Sequence, residues 1–140
     1  MSDLASQLIA LLGADAVSTA ADQLDVHSTD KWFASAPPEV VVFPANTEQV
    51  SKLLKFANEH KVPVTARGAG VGYVGGCVPL RGGIALSLMR MNRIKEINIA
   101  DGVAVVEPGV ITGVLQSEVR KLGWFYPPDP ASLKECSLGG

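Results

Sequence analysis

The run Pro63-Val64-Thr65-Ala66-Arg67-Gly68-Ala69-Gly70-Val71-Gly72-Tyr73-Val74-Gly75-Gly76 constrains this chain more than any other segment. Glycine at 68, 70, 72, 75 and 76 rules out a stable helix or strand through the segment. What remains is a loop stripped of side chains, entered from the β-like run Val62-Pro63-Val64-Thr65, with Arg67 at its mouth. Backbone left bare in this way approaches a large anionic partner closely. Its N–H groups then converge on phosphate oxygens.

Gly70 to Gly75 spells G-x-G-x-x-G, but a dinucleotide fold of that type needs the motif to open a helix. Here Gly76-Cys77-Val78-Pro79-Leu80-Arg81-Gly82-Gly83 follows, which no helix tolerates. The acidic residue expected about 20 positions on is replaced by Arg90-Met91-Asn92-Arg93. A Walker loop fails too, because no glycine is followed by lysine and then serine or threonine.

The flanking pattern places the loop at a sheet. Leu4, Leu8, Ile9, Leu11 and Leu12 predict a short amphipathic helix ending at Gly13, and a weaker helix is expected from Asp15 to Leu24. Residues 27–38 read as a loop. Val40 to Phe43 reads as a buried strand. Asn46, with Gln49 three residues on, reads as a capping box opening a helix. In that helix Val50, Leu53, Leu54 and Ala57 share one face, and His60 and Lys61 suit its carboxyl end. Val62 to Ala66 completes a strand–helix–strand unit, most simply parallel, with the glycine loop at the carboxyl end of its second strand. Further strands are expected at Ile84–Leu88, Ile94–Ile99 and Val103–Glu107, with Asp101-Gly102 as a hairpin turn. Thr112 is expected to cap a helix bearing Leu115, Val119 and Leu122, closed by Gly123. The aromatic trio Trp124, Phe125 and Tyr126 reads as core. The fold class is α+β, with a mixed parallel and antiparallel sheet covered by helices; α/β is the alternative.

A chain of 140 residues is one domain by default. Its 47% hydrophobic and 19% charged content fits a globular protein. A net charge of -2 offers no basic face for nucleic acid. No apolar run suits a membrane span, and the amino terminus lacks the pattern of a signal peptide. Cys77 and Cys136 show no metal-type spacing and read as two reduced thiols of a cytoplasmic protein.

Three blocks resemble the flavin domain of the FAD-linked oxidase family, of the vanillyl-alcohol-oxidase or p-cresol-methylhydroxylase (PCMH) type. They are Pro38-Glu39-Val40-Val41-Val42-Phe43-Pro44 with Asn46 to Val50, then Arg67 to Gly76 continuing to Leu80, then Tyr126-Pro127-Pro128-Asp129-Pro130-Ala131-Ser132 with Cys136-Ser137-Leu138-Gly139-Gly140. Within the family the chain is most similar to the glycolate oxidase FAD subunit and the D-lactate dehydrogenase group. Two departures stand out: Ala69 replaces a family glycine, and Val71 replaces a hydroxyl residue. The second removes a hydrogen bond to phosphate worth about 1.5–3 kcal/mol.

The resemblance implies bound FAD, held noncovalently because His27 and His60 both lie outside the loop. It implies a cradle of Arg67, Gly68, Ala69, Gly70, Val71, Gly72 and Gly76, faced by Pro128, Asp129, Ser132, Gly139 and Gly140. From the residues alone, Arg67 serves equally as a surface charge or as a phosphate or loop contact, and Asp129 equally as a turn former. The resemblance further implies oxidation of a 2-hydroxy acid by hydride transfer to flavin, with an electron acceptor or further oxidase subunits as partners, in the cytoplasm or peripheral to a membrane through those subunits. Residues 1–35 are then a helical lead, and 36–140 the first portion of an FAD-binding domain expected to continue past Gly140. A catalytic base and the substrate wall would lie beyond it, so no catalytic residue is assigned. Two other readings stay open: a noncatalytic α/β module for subunit association or effector binding, and a flavoprotein of the same superfamily acting on a sugar lactone or an alkylglycerone phosphate.

Overall fold

Helix α1, Asp3–Leu12, lays Ala5, Leu8 and Leu12 onto the sheet that forms the main core. The computed structural model describes residues 3–139. After α1 a single 3-10 turn, Ala14–Ala16, leads into strand β1, Val17–Ser18, and a six-residue helix α2, Ala21–Val26. The helix expected over Asp15 to Leu24 is therefore broken. Val17 and Ser18 pair antiparallel with Val42 and Val41, and the Ser18 hydroxyl accepts the Ala20 N–H at 3.2 Å. Edge pairing and a serine turn override a weak helical propensity there.

Strand β2, Val40–Val42, is followed by helix α3, Thr47–His60, and strand β3, Val64–Arg67. Strand β4, Ile84–Ser87, is buried at all four positions. It runs parallel to β2 on one side and to β3 on the other, giving the order β1-β2-β4-β3. The strand–helix–strand unit thus has parallel strands as expected, but they are not neighbours. The two fully buried strands, β2 and β4, take the inner positions, where both faces are covered. Asn46 caps α3 by accepting the Gln49 N–H at 2.9 Å. The return bond misses the expected partner: the Gln49 Oε1 accepts from Ala45, and its Nε2 donates to the Leu12 carbonyl, tying α3 to the end of α1. Leu53 and Ala57 of α3 complete the core with Val40, Val42, Ile84 and Leu86.

Strands β5, Ile94–Asn98, and β6, Val103–Val106, form a separate antiparallel hairpin. Helix α4, Thr112–Lys121, packs Leu115 and Val119 against it to make a second, smaller core. Ile111, not Thr112, stands at the N-cap, with no side-chain cap. Thr112 is buried and its hydroxyl lies 3.3 Å from the Cys136 carbonyl, so it ties α4 to the last segment of the chain. Gly123 closes α4 as expected, donating to Arg120 while Trp124 donates to Val119. Trp124 and Phe125 are not core: they are 45% and 65% exposed, on the rim of an apolar groove between the hairpin and α4, whereas Tyr126 is half-buried and packs against the second core as expected. This part of the chain has too few layers to cover rings of that size. The arrangement as a whole is the mixed-sheet α+β fold expected.

Glu107, 2% exposed at the end of β6, accepts from the Arg93 guanidinium at 2.7 Å and from the Arg93 N–H at 2.9 Å. These bonds hold its carboxyl down from the ordinary 4.5 to about 2. Because the folded value is the lower one, the stabilisation is complete above pH 4.5 and is lost as pH falls through about 2. Glu107→Gln should flatten that acid limb in a plot of melting temperature against pH. Leu53 is fully buried, so Leu53→Ala should destabilise the fold by about 2–5 kcal/mol in denaturant titration.

Candidate functional site

Arg67 is the last residue of β3 and turns back under the loop it introduces. Its side chain is 7% exposed. The Nη1 donates to the Thr29 carbonyl and lies 3.5 Å from the Cys77 sulfur. A Cβ on Gly70, where φ is +70°, would sit 2.0 Å from the Arg67 Nη2. The guanidinium is thus the floor of the loop, and only glycine fits above it. Among the described residues no carboxylate lies within ion-pair distance of this cation. Its field reaches His27, which is buried against Phe43. Burial first, and then the Arg67 charge, lowers the His27 pKa, against the raising effect of its bond to the Gln23 carbonyl.

Above this floor the loop walls a cleft of about 360 Å³. Gly68, Ala69, Gly70, Val71, Gly72 and Gly76 all line it. The loop is held from outside by residues 29–32: the Lys31 N–H donates to the Gly72 carbonyl at 2.9 Å, and the Gly75 N–H to Asp30 at 3.0 Å. Gly72 and Gly76 differ from Gly70. A Cβ on Gly72 would approach nothing closer than 3.4 Å, and one on Gly76 nothing closer than 3.9 Å. The protein's own packing does not require glycine at these two positions. Their bareness leaves space in the cleft itself.

The opposite wall comes from the far end of the chain. Ser137 bridges to Ile111, and Leu138 and Gly139 donate to the Val110 and Pro108 carbonyls, each at 2.8 Å. The Ser137 hydroxyl accepts the Ala69 N–H at 3.1 Å and donates to the Gly139 carbonyl at 2.8 Å, joining the two walls. Cys77 and Cys136 also face the cleft, one on each wall. Among the described residues no group of three or more metal-ligating side chains occurs.

The expected site residues are distributed as follows. Gly68 to Gly72, Gly76 and Gly139 share the cleft, and Arg67 lies beneath it. Ser132 borders a neighbouring hollow of about 210 Å³ with Val71 and Tyr73. Pro128 and Asp129 are exposed on the turn after α4, where the Pro128 carbonyl accepts from Gln116 at 2.7 Å. Gly140 lies outside the described residues. Sequence reasoning passed over Asp30, Cys77, Cys136 and Ser137 as lining residues. Cys77 stood inside the second resemblance block, and Cys136 and Ser137 inside the third, so these three were discoverable; nothing in the local pattern marked Asp30. The apolar groove of about 280 Å³ beside α4 is lined mainly by aliphatic and aromatic side chains and has no comparable array of bare backbone.

Comparison with known proteins bears on the family and the fold. A family model described as an FAD binding domain matches residues 38–140. The glycolate oxidase subunit GlcD of Bacillus subtilis is 43% identical over 103 residues, which is 74% of this chain and 22% of that protein. A D-lactate dehydrogenase of Anaerostipes hadrus is 40% identical over 114 residues, 81% of this chain and 24% of that protein. Among solved structures, 4-ethylphenol oxidase from Gulosibacter chungangensis superposes with a TM-score of 0.82 at 32% identity, over 96% of this chain and 27% of that one. The chain therefore spans about a quarter of the length of these relatives.

The two kinds of glycine separate in a mutational test. Gly72→Ala should leave the melting temperature nearly unchanged and weaken FAD binding in a flavin-fluorescence titration. Gly70→Ala should lower both, since it forces a positive φ and displaces Arg67.

Proposed function

The chain belongs to the FAD binding domain family, and from that premise we propose that it forms the diphosphate-holding part of a flavin-dependent oxidoreductase acting on a 2-hydroxy acid such as glycolate or D-lactate. The observation that carries this reading is a buried guanidinium, without a carboxylate partner among the described residues, under a cleft walled by bare backbone. A desolvated cation of this kind is stabilised when an anion arrives above it. The diphosphate of FAD is such an anion. The residues fit the group: Gly72 and Gly76 leave room in the cleft that internal packing does not use.

In this reading the backbone of residues 67–72 and Gly76 holds the diphosphate on one side, and Arg67 acts from beneath by charge and by shaping Gly70. Ser137 and Gly139 close the second side. Resemblance adds Pro128, Asp129, Ser132 and Gly140 to it. Val71 contributes no hydroxyl, so the hold rests on N–H groups. No histidine lies in the loop, so attachment is noncovalent. When bound, FAD supplies the ring that accepts a hydride from the CH–OH carbon of the substrate. This segment positions that ring and takes no part in proton removal. The likeness to a glycolate oxidase subunit and a D-lactate dehydrogenase supports the substrate class, and supports other oxidase subunits or an electron acceptor as partners. The proposed location is the cytoplasm, with any membrane association peripheral through those subunits; among the described residues no helix is long and apolar enough to cross a membrane. Residues 36–140 are taken as the FAD-binding portion, led in by the helical segment 1–35.

The test is reconstitution of the intact protein with FAD, followed by anaerobic addition of glycolate or D-lactate. The expected result is stoichiometric flavin uptake and bleaching of its visible absorbance by one of the two acids. A protein that takes up no flavin would overturn the cofactor role. Bound flavin that neither acid bleaches would overturn the substrate class alone.

A further inference from the structure

The loop that leads from α2 towards β2 reaches across 45 residues to grip the glycine loop. Asp30 uses both carboxylate oxygens in that grip. Its Oδ1 accepts the Trp32 N–H at 2.7 Å, and its Oδ2 accepts the Gly75 N–H at 3.0 Å. The Trp32 ring covers Gly75 so closely that a Cβ there would meet Cε3 at 2.5 Å. On either side, the Thr29 carbonyl receives Arg67 and the Lys31 N–H donates to Gly72. Asp30 also lines the cleft, with each of its oxygens engaged by a backbone amide.

We infer that Asp30 is the positioning residue of the diphosphate loop, an inference that rests on the cofactor reading above. A glycine-rich loop has much backbone freedom to lose when it closes on a ligand. Asp30 removes part of that freedom beforehand by fixing Gly75 and with it the path from Gly72 to Gly76. Pre-organisation of this kind appears as ligand affinity. The residue lies upstream of the family-matched segment 38–140, so the functional cradle extends into the chain before it.

The test compares the intact wild-type protein with Asp30→Asn and Asp30→Ala. Affinity for FAD is read by flavin fluorescence, and affinity for inorganic pyrophosphate by its competition with FAD. Asparagine keeps one acceptor, sufficient for the Trp32 turn, and loses the one facing Gly75. Asp30→Asn should therefore weaken FAD and pyrophosphate by the same factor, about tenfold, and Asp30→Ala by more. Unchanged affinities in Asp30→Asn would overturn the assignment. So would weakened FAD binding with unchanged pyrophosphate competition, because Asp30 would then act away from the diphosphate. If Asp30→Ala fails to fold, Asp30→Asn decides. A wild type that binds neither ligand would overturn the cofactor reading itself, and this inference with it.

Discussion

The site depends on the contact of one buried guanidinium with backbone. Arg67 ends β3 and would ordinarily reach for solvent or a carboxylate. Instead it turns inward to the Thr29 carbonyl and passes under Gly70. A buried cation needs its donors satisfied, and this one draws on a segment nearly forty residues earlier. The requirement fixes where residues 27–36 must run, and it gives His27 its unusual setting beside a positive charge. The N-terminal loop and the glycine loop are therefore parts of one construction.

The architecture around that contact has two cores of different kinds. The larger one is a four-stranded sheet with β4 buried at its centre, covered by α1 and α3. The smaller one is a hairpin with a single helix, pinned at one end by the Glu107–Arg93 pair. The cleft is formed where the carboxyl end of β3 meets the segment after α4. Neither core could make it alone, because one wall is anchored to each.

Much of this was legible from local chemistry. The alternation of apolar runs and turns located β2, α3, β3, β4, the hairpin and α4, and Asp101-Gly102 marked the hairpin turn itself. The glycine loop announced its place at a strand end through composition alone. What was not legible depended on distant pairing. The insertion of β4 between β2 and β3 is a register chosen by burial, not by neighbours in sequence. Val17 and Ser18 became an edge strand because Val41 and Val42 offered them partners. Asp30 looks like any polar loop residue until the fold carries Gly75 to it. Trp124 and Phe125 were judged by residue type, whereas their exposure follows from how few layers stand over the hairpin.

Ser137 gives the cleft a temporal property. Its hydroxyl joins Ala69 to Gly139, so one bridge spans nearly half of the polypeptide. On a ribosome the glycine loop emerges long before its counterpart. Until residue 137 has been made and docked, that loop stands as half a clasp, and a cofactor meeting the nascent chain finds only one jaw.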